Sequence, residues 1–436
     1  MKVLKFGGTS IGSVAKIKKV IALIQKESKN IIVFSAFEGT TNTLLEIAEC
    51  FYMKDPKEAY ALIDRLETQY SELVAELYST QEYKNLAKEL LNNHFNVIRS
   101  FPGDLFTPLD EKTMLAQGEL LSSSMMHLLL KEQQVDAVLI LALDFMRTDK
   151  NSEPDPVYIK ERLHRQLEKY SGAGIYITQG YICRNAYGEI DNLEREGSDY
   201  TATLIGAAVH AEEIQIWSDA GGMQNNDPHY VEHTSSIRRL QFEEAAELAY
   251  FGARILHPDC ILPAKLNNIP VRLLNISHPE AQGTTISNPM EKGKIKAVAA
   301  KDGITAIKII SGRMLSAHGF LRNVFEIFEK YRTAIDMVVT SEVAVSVTID
   351  QTKHLAGILE DLKNYGTVSV DRNMTMICVV GDLDWDNLGF ESKIVQALKD
   401  VRVRMISYGG SNYNISFLIR TEDKQCALQA LSNNLF

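Results

Sequence analysis

The sequence has 436 residues, of which 45% are hydrophobic, and a formal net charge of −10, which indicates a globular protein of two to four domains with ample material for a core. The acidic balance argues against bulk binding of nucleic acid, and no apolar run approaches the roughly 18 residues of a membrane span. Five scattered cysteines without a CxxC pair argue against zinc clusters and disulfides, and without a signal-peptide pattern we expect a cytoplasmic protein.

The first stretch with a chemical pattern is KVLKFGGTSIG at Lys2–Gly12. Its apolar residues predict a buried strand, Gly7 and Gly8 predict a turn, and helical periodicity follows. A strand, a glycine turn and a helix N-terminus together form a cradle for an anion, because bare glycines let backbone N–H groups approach a phosphate. Lys5 lies on the strand, where an unpaired ammonium is costly, so we expect it to meet an anion. Neither the GxxxxGK(S/T) nor the GxGxxG pattern is present.

A second apolar strand, Ile31–Phe34, ends in a hydroxyl-rich loop that contains Ser35 and Thr41. The residues from 44 to about 94 have a helical pattern without visible chemistry, and we interpret them as a helical insert. A further helix is predicted over about 112–131, and its wide apolar surface indicates burial. Glu119 lies in this helix, and because buried carboxylates are rare without a partner, we expect it to need a cationic one.

Apolar strands at Ala137–Leu143, Ile175–Thr178, Ile214–Trp217 and Val271–Leu274 alternate with helical segments. This alternation predicts a largely parallel sheet covered by helices on both faces. Ligands collect at the carboxyl ends of the strands in such sheets. Asp219 follows one of these ends, where it could bind Mg²⁺ or a group of a nucleotide.

The second stretch with a chemical pattern is LEREGSDYTAT at Leu193–Thr203. Ser198 is a good N-cap and Asp199 lies in the first turn of the predicted helix, so a capped helix explains both. It does not explain Arg195, because a guanidinium is poorly placed at the positive end of a helix dipole. Arg195 is well placed to hold a carboxylate with two hydrogen bonds. His257, which precedes a proline, is interpreted as structural rather than as a ligand.

The pattern changes near residues 287–296, where proline, glycine and several lysines suggest a domain boundary. Beyond it, strands and helices alternate with a shorter period, in a βαββαβ order that repeats after about 65 to 70 residues. Small ferredoxin-like units of this kind generally regulate or dimerise. No catalytic constellation is visible in them.

Four motifs in order resemble aspartate kinase, namely KFGGTS at Lys5–Ser10, GSDYTA at Gly197–Ala202, WSDAGG at Trp217–Gly222 and FGARILHP at Phe251–Pro258. The resemblance covers essentially the whole chain and includes paired ACT domains. It implies an α/β amino-acid-kinase fold, a largely parallel sheet between helices, over 1–290, with the helical insert at about 44–130. It also implies two ferredoxin-like βαββαβ ACT domains over 297–436, at about 304–371 and 374–436, nested through 297–301. The chain resembles the monofunctional form, without a fused homoserine dehydrogenase.

The resemblance implies phosphoryl transfer from MgATP to the side-chain carboxylate of L-aspartate, which gives 4-phospho-L-aspartate and ADP, the first step of lysine, threonine and methionine biosynthesis. Lys5 and Asp199 resemble the catalytic pair, in which the aspartate orients the lysine that contacts the transferring phosphoryl group. The residues that resemble the ATP site are Lys5, Phe6, Gly7, Gly8, Ser10, Ser218, Asp219 and Arg254. The residues that resemble the aspartate site are Ser35, Thr41, Glu119, Arg195 and Ser198. Mg²⁺ is expected as MgATP, with few direct protein ligands.

The chain departs from the family pattern near these residues. The usual GRGGSD reads EREGSD, so Glu194 and Glu196 flank Arg195 and could compete for its guanidinium or exclude the substrate. Gln224 replaces an aromatic residue that is common in the nucleotide loop. His229 replaces an arginine that could face ATP.

The residues of the first ACT unit that resemble the effector pocket of lysine-inhibited aspartate kinases are Met314, Gly319, Leu321, Asp336, Thr340, Ser341 and Glu342. Asp336 and Glu342 could hold the two ammonium groups of lysine. Ser316 and Ala334 replace polar residues that are usual there, so the expected effector is lysine, with threonine or another amino acid left open. Paired ACT units imply a homodimer, with a tetramer left open, and no nucleic-acid or membrane partner is expected.

Two other functions stay open on the sequence alone. One is a related kinase of the same fold that acts on another carboxylate or on a carbamate, since Arg195 with Glu119 favours an amino-acid substrate without fixing its length. The other is a catalytically weak amino-acid sensor, which the two glutamates beside Arg195 suggest. The retained Lys5 and Asp199 argue against a sensor.

Overall fold

The computed structural model describes residues 1–25, 29–101, 105–193, 196–251, 256–289, 291–312, 314 and 318–436. Its helices are α1 Val14–Ile24, α2 Thr40–Tyr52, α3 Pro56–Leu77, α4 Gln81–Arg99, α5 Pro108–Glu132, α6 Pro156–Lys169, α7 Gly197–Val209, α8 Phe242–Tyr250, α9 Pro258–Leu266, α10 Phe320–Lys330, α11 Leu355–Leu362, α12 Phe390–Ala397 and α13 Lys424–Leu435. Its strands are β1 Lys2–Phe6, β2 Asn30–Phe34, β3 Ala137–Leu139, β4 Ile175–Gln179, β5 Ile182–Arg184, β6 Ile190–Asn192, β7 Ile214–Ser218, β8 Arg239–Gln241, β9 Val271–Asn275, β10 Thr284–Ser287, β11 Ile295–Ile310, β12 Val338–Thr340, β13 Ala344–Ile349, β14 Thr367–Gly381, β15 Val403–Ser407 and β16 Asn414–Arg420. None of the helices in these ranges combines the length and the apolar character that crossing a bilayer requires.

The chain divides into two compact units, one of residues 1–223 and 256–288 and the other of residues 224–255 and 289–436. The predicted kinase domain over 1–290 includes residues 224–255, whereas the structure groups this segment with the second unit. The reason is packing. Helix α8 packs against β11 and β14, and the carbonyl of Asn225 accepts a hydrogen bond from the N–H of Val298 at 2.8 Å.

The first unit is built on a sheet with the strand order β3-β4-β2-β1-β7-β9-β10. Neighbouring strands run parallel, except that β10 is antiparallel to β9. All five residues of β2 are buried, as expected for a parallel strand that is covered on both faces. The predicted parallel sheet is therefore confirmed. Strand β1 lies near its middle, so the end of β1 is at the edge of the sheet where ligands collect.

The third strand is shorter than predicted. The sequence predicts a strand over Ala137–Leu143, but β3 ends at Leu139 and a short 3-10 helix follows at Ala142–Asp144. The side chain of Gln179 explains the difference, because its Oε1 accepts the hydrogen bond of the Ala142 N–H at 2.7 Å. The donor that a longer strand would give to its neighbour is therefore already used.

Helices α2 to α5 form the predicted helical insert, and α5 begins ahead of its predicted start. Thr107 Oγ1 accepts a hydrogen bond from the N–H of Asp110 at 3.3 Å, and Asp110 Oδ2 accepts one from the N–H of Thr107 at 2.9 Å. This reciprocal capping box begins the helix at Pro108. Met114 and Met125 of α5 are fully buried, so the middle of the helix lies deep in the first unit.

We expect Thr107→Ala to lower the free energy of unfolding by about 1 kcal/mol, because it removes the side-chain acceptor from the first turn of α5. The matched control is Thr68→Ala. Thr68 lies inside α3 and donates to the carbonyl of Asp64 at 2.8 Å, and alanine has the higher helix propensity there. Urea unfolding followed by circular dichroism measures both variants. Equal losses of stability in the two would contradict the role of the cap.

The second unit contains a six-stranded antiparallel sheet with the order β12-β13-β11-β14-β16-β15. Strands β11 and β14 are 16 and 15 residues long, and they pair with each other along almost their whole length, from Ile295 opposite Gly381 to Ile310 opposite Thr367. Helices α10 and α11 cover one half of the sheet, and α12 and α13 cover the other. The two predicted ferredoxin-like modules therefore share one sheet.

Candidate active site

Lys5 and Asp199 form an ion pair at the carboxyl end of β1. Lys5 Nζ lies 2.6 Å from Asp199 Oδ1, and the two side chains are 12% and 9% exposed. Lys5 comes from β1 and Asp199 from the first turn of α7. Because two charges taken out of water need good geometry and further partners to offset their desolvation, such a pair is better suited to a ligand than to stability. It presents one ammonium, oriented by a carboxylate, where anionic ligands collect in this fold.

The glycine turn after β1 is held against the sheet by its backbone. At Gly8, a Cβ atom would lie 2.8 Å from the carbonyl oxygen of Ala36, so no side chain fits there. Ser10 is buried, and its hydroxyl donates to the carbonyl of Trp217 at 2.9 Å. The side chain of Phe6 is buried between aromatic rings of the two neighbouring strands. The predicted ATP-site residues of this segment therefore offer backbone groups rather than side chains.

A second cation, which was not predicted from the sequence, lies beside the glycine turn. Lys16 Nζ donates to the carbonyl of Thr9 at 2.9 Å and lies 2.9 Å from Asp219 Oδ2. Lys16 is in the first turn of α1, and its backbone N–H donates a hydrogen bond to the Ser13 hydroxyl at 3.4 Å. A lysine one turn into the helix after a phosphate-type turn is the signal that could have identified it. Asp219, predicted for the nucleotide site, is paired with this lysine.

Glu119 is buried, and no described residue pairs it with a cation. Only 3% of the residue is exposed, its Oε1 accepts a hydrogen bond from the N–H of Ala36 at 3.4 Å, and its Oε2 has no hydrogen-bond partner within the described ranges. Burial raises the pKa of Glu119 to about 8, because the charged form is deprived of water. The described residues do not supply the predicted cationic partner, so a ligand that carries an ammonium group would complete the site.

The other predicted aspartate-site residues lie at the ends of nearby elements. Ser35 follows β2, and its carbonyl accepts a hydrogen bond from a serine hydroxyl of α5 at 2.7 Å. Thr41 lies in the first turn of α2, two residues after Gly39, whose φ of 82° favours glycine. Ser198 lies in the first turn of α7 and packs against Gly180, where a Cβ atom would come within 2.5 Å of it. All three lie on elements that surround the carboxyl ends of the central strands.

Arg195 and Arg254, predicted for the substrate and nucleotide sites, lie outside the described residues, and so does Glu194. Glu196 is described, and it adopts a left-handed backbone with a φ of 49°. Its carboxylate accepts a hydrogen bond from the N–H of His257. Burial raises the pKa of this carboxyl. The carboxylate of Glu196 is thus engaged by the backbone at the start of α9.

The two other departures from the family pattern lie in the second unit. Gln224 Nε2 donates to the hydroxyl of Ser236 at 3.1 Å. His229 Nδ1 lies 2.9 Å from Asp227 Oδ1, with 87% of the histidine side chain exposed. In the part of the chain that the structure covers, no group of three or more His, Cys, Asp or Glu side chains comes together in a way that could hold a metal.

The predicted effector residues belong to the second unit. Gly319 caps α10 with a φ of 88°, and Leu321 is 37% exposed on that helix. Met314 packs against the apolar cluster beneath α10, while Ser316 lies outside the described residues. Their role in an effector pocket stays a prediction.

Asp336 and Glu342 lie on either side of β12. The backbone N–H of Asp336 bonds to the carbonyl of Thr348 at 2.9 Å, and the N–H of Ser341 bonds to that of Ala344 at 2.8 Å. The chain between them is therefore paired and extended, and residues 336 to 340 alone span roughly 13 Å. The role of the two carboxylates in holding an effector stays a prediction.

Comparison with known proteins identifies the family. The sequence model of the amino acid kinase family matches residues 1–275, and that of the ACT domain matches residues 377–435. Lysine-sensitive aspartokinase 3 of Escherichia coli (strain K12) is 31% identical over 447 residues, which cover 100% of this chain and 99% of that protein.

Solved structures agree with this comparison. The crystal structure of E. coli aspartokinase III with aspartate and ADP, in the R-state, matches with a TM-score of 0.84 at 30% identity and covers 100% of both chains. The structure of the same enzyme with lysine and aspartate, in the T-state, matches with a TM-score of 0.82 at 31% identity, over 100% of this chain and 99% of that one. The chain therefore belongs to the aspartokinase family, with an amino-acid-kinase fold followed by ACT-type regulatory modules.

Proposed function

We propose that this chain transfers the γ-phosphoryl group of MgATP to the side-chain carboxylate of L-aspartate, giving 4-phospho-L-aspartate and ADP. The observation that carries the proposal is the ion pair of Lys5 and Asp199 beside the glycine turn, within the same unit as the buried, uncompensated carboxyl of Glu119. The first feature suits a transferring phosphoryl group, and the second suits the ammonium group of an amino acid. Full-length similarity to an aspartokinase that was solved with aspartate and ADP supports both assignments.

The reaction needs positioning more than proton transfer. An oxygen of the aspartate side chain, already ionised at neutral pH, forms the new bond to the γ-phosphorus, while the bond to the bridging oxygen of ADP breaks. Lys5 neutralises the charge on the phosphoryl oxygens, and Asp199 holds the ammonium in place. Mg²⁺ arrives with ATP and neutralises the remaining charge.

The nucleotide end of the site is formed by the backbone after β1 and by Lys16. The N–H groups of the turn at Gly8–Ile11 lie next to the start of α1, where the helix dipole favours negative charge. Lys16 adds a cation to this region, with Asp219 as its partner. Arg195 would clamp the α-carboxylate of aspartate and Arg254 would contact the nucleotide, as the family resemblance implies.

Regulation by L-lysine belongs to the same proposal. The chain is similar over its full length to an aspartokinase that was solved with lysine and aspartate. Asp336 and Glu342 are the residues proposed to hold the two ammonium groups of lysine. We infer a homodimer through the paired ACT modules, with a tetramer left open, in the reducing environment of the cytoplasm, where the absence of disulfides among the five cysteines is expected.

The test is the release of ADP from MgATP with L-aspartate, L-glutamate or no acceptor, each with and without millimolar L-lysine. We expect ADP release that depends on aspartate and that lysine suppresses. If L-glutamate but not L-aspartate supports ADP release, the substrate is a longer amino acid than aspartate. If the folded protein binds lysine but releases no ADP in response to either acceptor, the amino-acid sensor is favoured instead.

A further inference from the structure

An acidic cluster in the second unit joins α8 to the segment between α10 and β12. Tyr250, the last residue of α8, donates its hydroxyl to Asp336 Oδ1 at 2.5 Å. Lys301 of β11 lies 3.3 Å from the same oxygen and 2.9 Å from Asp350 Oδ2. The side chain of Asp336 is 2% exposed. One residue of the predicted effector pocket is therefore already bound by the protein itself.

The cluster lacks one positive charge and one donor. Among the described residues, Asp336 and Asp350 share a single cation, Lys301. Asp336 Oδ2 is buried and has no hydrogen-bond partner within the described ranges. Burial raises the pKa of Asp336, although Tyr250 and Lys301 oppose this effect. A buried carboxylate oxygen without a donor is costly, so this one is suited to a ligand that brings both a charge and N–H groups.

Tyr250 is a weaker partner for Asp336 than an ammonium would be. Its hydroxyl offers one neutral hydrogen bond, whereas an ammonium offers three N–H groups and a full charge. Burial and the neighbouring Asp336 raise the pKa of Tyr250, so the hydroxyl remains a donor. The ring of Tyr250 also lies under Lys301 Nζ, which is 4.5 Å from the ring centroid. The three groups hold the end of α8 against the sheet through contacts that a cationic ligand can replace.

We propose that Asp336 exchanges the Tyr250 hydroxyl for the ammonium group of the effector amino acid, and that this exchange releases the C-terminal end of α8. The inference rests on the regulation by lysine proposed above, and it names the internal group with which the effector competes. A ligand can shift an equilibrium only by its difference in affinity for the two states. Here that difference arises because Tyr250 holds Asp336 in one state and leaves it to the effector in the other.

The experiment is a calorimetric titration of the full chain with L-lysine. Tyr250→Phe removes the hydroxyl and keeps the ring, and we expect it to lower the Kd for lysine about tenfold, because the internal competitor for Asp336 is gone. The matched control is Tyr408→Phe, since Tyr408 donates to a backbone carbonyl, that of Leu383, at 3.3 Å. We expect Tyr408→Phe to bind lysine as the wild type does. An unchanged Kd in Tyr250→Phe would overturn the inference.

A double variant assigns the effect to Asp336. Asp336→Asn is expected to weaken lysine binding, and Tyr250→Phe is expected to have no further effect in that background. If Tyr250→Phe tightens lysine binding by the same factor in the Asp336→Asn background as in the wild type, the proposed exchange at Asp336 is wrong. ADP release is measured in parallel. If the protein shows aspartate-dependent turnover but binds no lysine, this inference is wrong and the proposed kinase activity stands. If it shows the expected lysine affinities but no turnover, the proposed kinase activity is wrong and the exchange at Asp336 stands.

Discussion

Replacing Lys5 by methionine is expected to lower kcat for aspartate-dependent ADP release about a thousandfold. The ammonium of Lys5 is held by Asp199 at 2.6 Å, so in the proposed mechanism it meets the charge of the phosphoryl oxygens without having to reorient. The loss of one such preorganised charge typically costs a factor of about 10² to 10³. Methionine keeps most of the length of the stem and removes the charge. Steady-state assays at saturating MgATP and aspartate measure the effect.

The control for this variant separates catalysis from stability. Lys5→Met leaves the carboxylate of Asp199 buried without its cation, which destabilises the fold. The double variant Lys5→Met/Asp199→Asn removes both charges, so we expect it to recover thermal stability but not kcat. Lys18→Ala, at an exposed position of α1, should match the wild type in both. A kcat within threefold of the wild type in a folded Lys5→Met protein would show that Lys5 does not meet the phosphoryl group.

Glu119→Gln is expected to raise KM for aspartate about a hundredfold, because the amide keeps the shape but cannot pair with the substrate ammonium in a dry site. The effect on kcat should be much smaller, since Glu119 does not contact the phosphoryl group in the proposed arrangement. Glu111→Gln is the matched control. Glu111 lies on the same helix and accepts a hydrogen bond from the hydroxyl of Tyr52 at 2.8 Å. An unchanged KM in Glu119→Gln would remove Glu119 from the substrate site.

The pH dependence of KM gives a second test of the same carboxyl. The pKa of Glu119 is raised to about 8 in the ligand-free protein, so below pH 8 the group must lose a proton before it pairs with an ammonium. We expect KM of the wild type to fall about tenfold per pH unit between pH 6 and 8 and then to level off. Glu119→Gln should show a flat profile in this range. Parallel profiles for the two proteins would contradict the assignment.

The same pKa has a consequence for folding. Because the folded-state pKa of Glu119 lies above the ordinary value of 4.5 for a glutamate, its contribution to stability is fully present below pH 4.5 and is lost as the pH rises through 8. Because glutamine does not ionise, the Glu119→Gln variant does not lose this stability as the pH rises. The thermal midpoint of the variant should therefore exceed that of the wild type at pH 8.5 and not at pH 4.5.

Much of the fold of the first unit could be predicted from the sequence, because it is specified locally. Strands β2, β4, β7 and β9 lie within a residue or two of their predicted ranges. Parallel strands that are buried on both faces appear as continuous apolar runs, so a short window identifies them. Strand β3 is the exception, since the side chain of Gln179 ends it from a position about 40 residues further along the chain.

The contacts of the site were predictable only where a motif joined the partners. Lys5 and Asp199 were predicted through the family resemblance. The pairs Lys16 with Asp219 and Tyr250 with Asp336 were not, and their partners are 203 and 86 positions apart. Such contacts depend on tertiary packing, which periodicity does not report.

Glu119 shows a different limit of the sequence. The apolar residues around it predict burial, and the structure places it in the interior. Whether a cation accompanies a buried carboxylate depends on every element packed around it. The sequence therefore predicts the cost of burial but not the group that compensates it.

The sheet that the two ACT modules share limits how the chain can be shortened. A truncation between the modules would cut β11 or β14, which pair with each other along almost their whole length. Either cut would leave a long apolar strand with unpaired N–H and C=O groups, and exposed edges of this kind promote aggregation between molecules. The regulatory half is therefore expected to be gained or lost only as a whole, and a single module expressed alone should need a partner for its open edge.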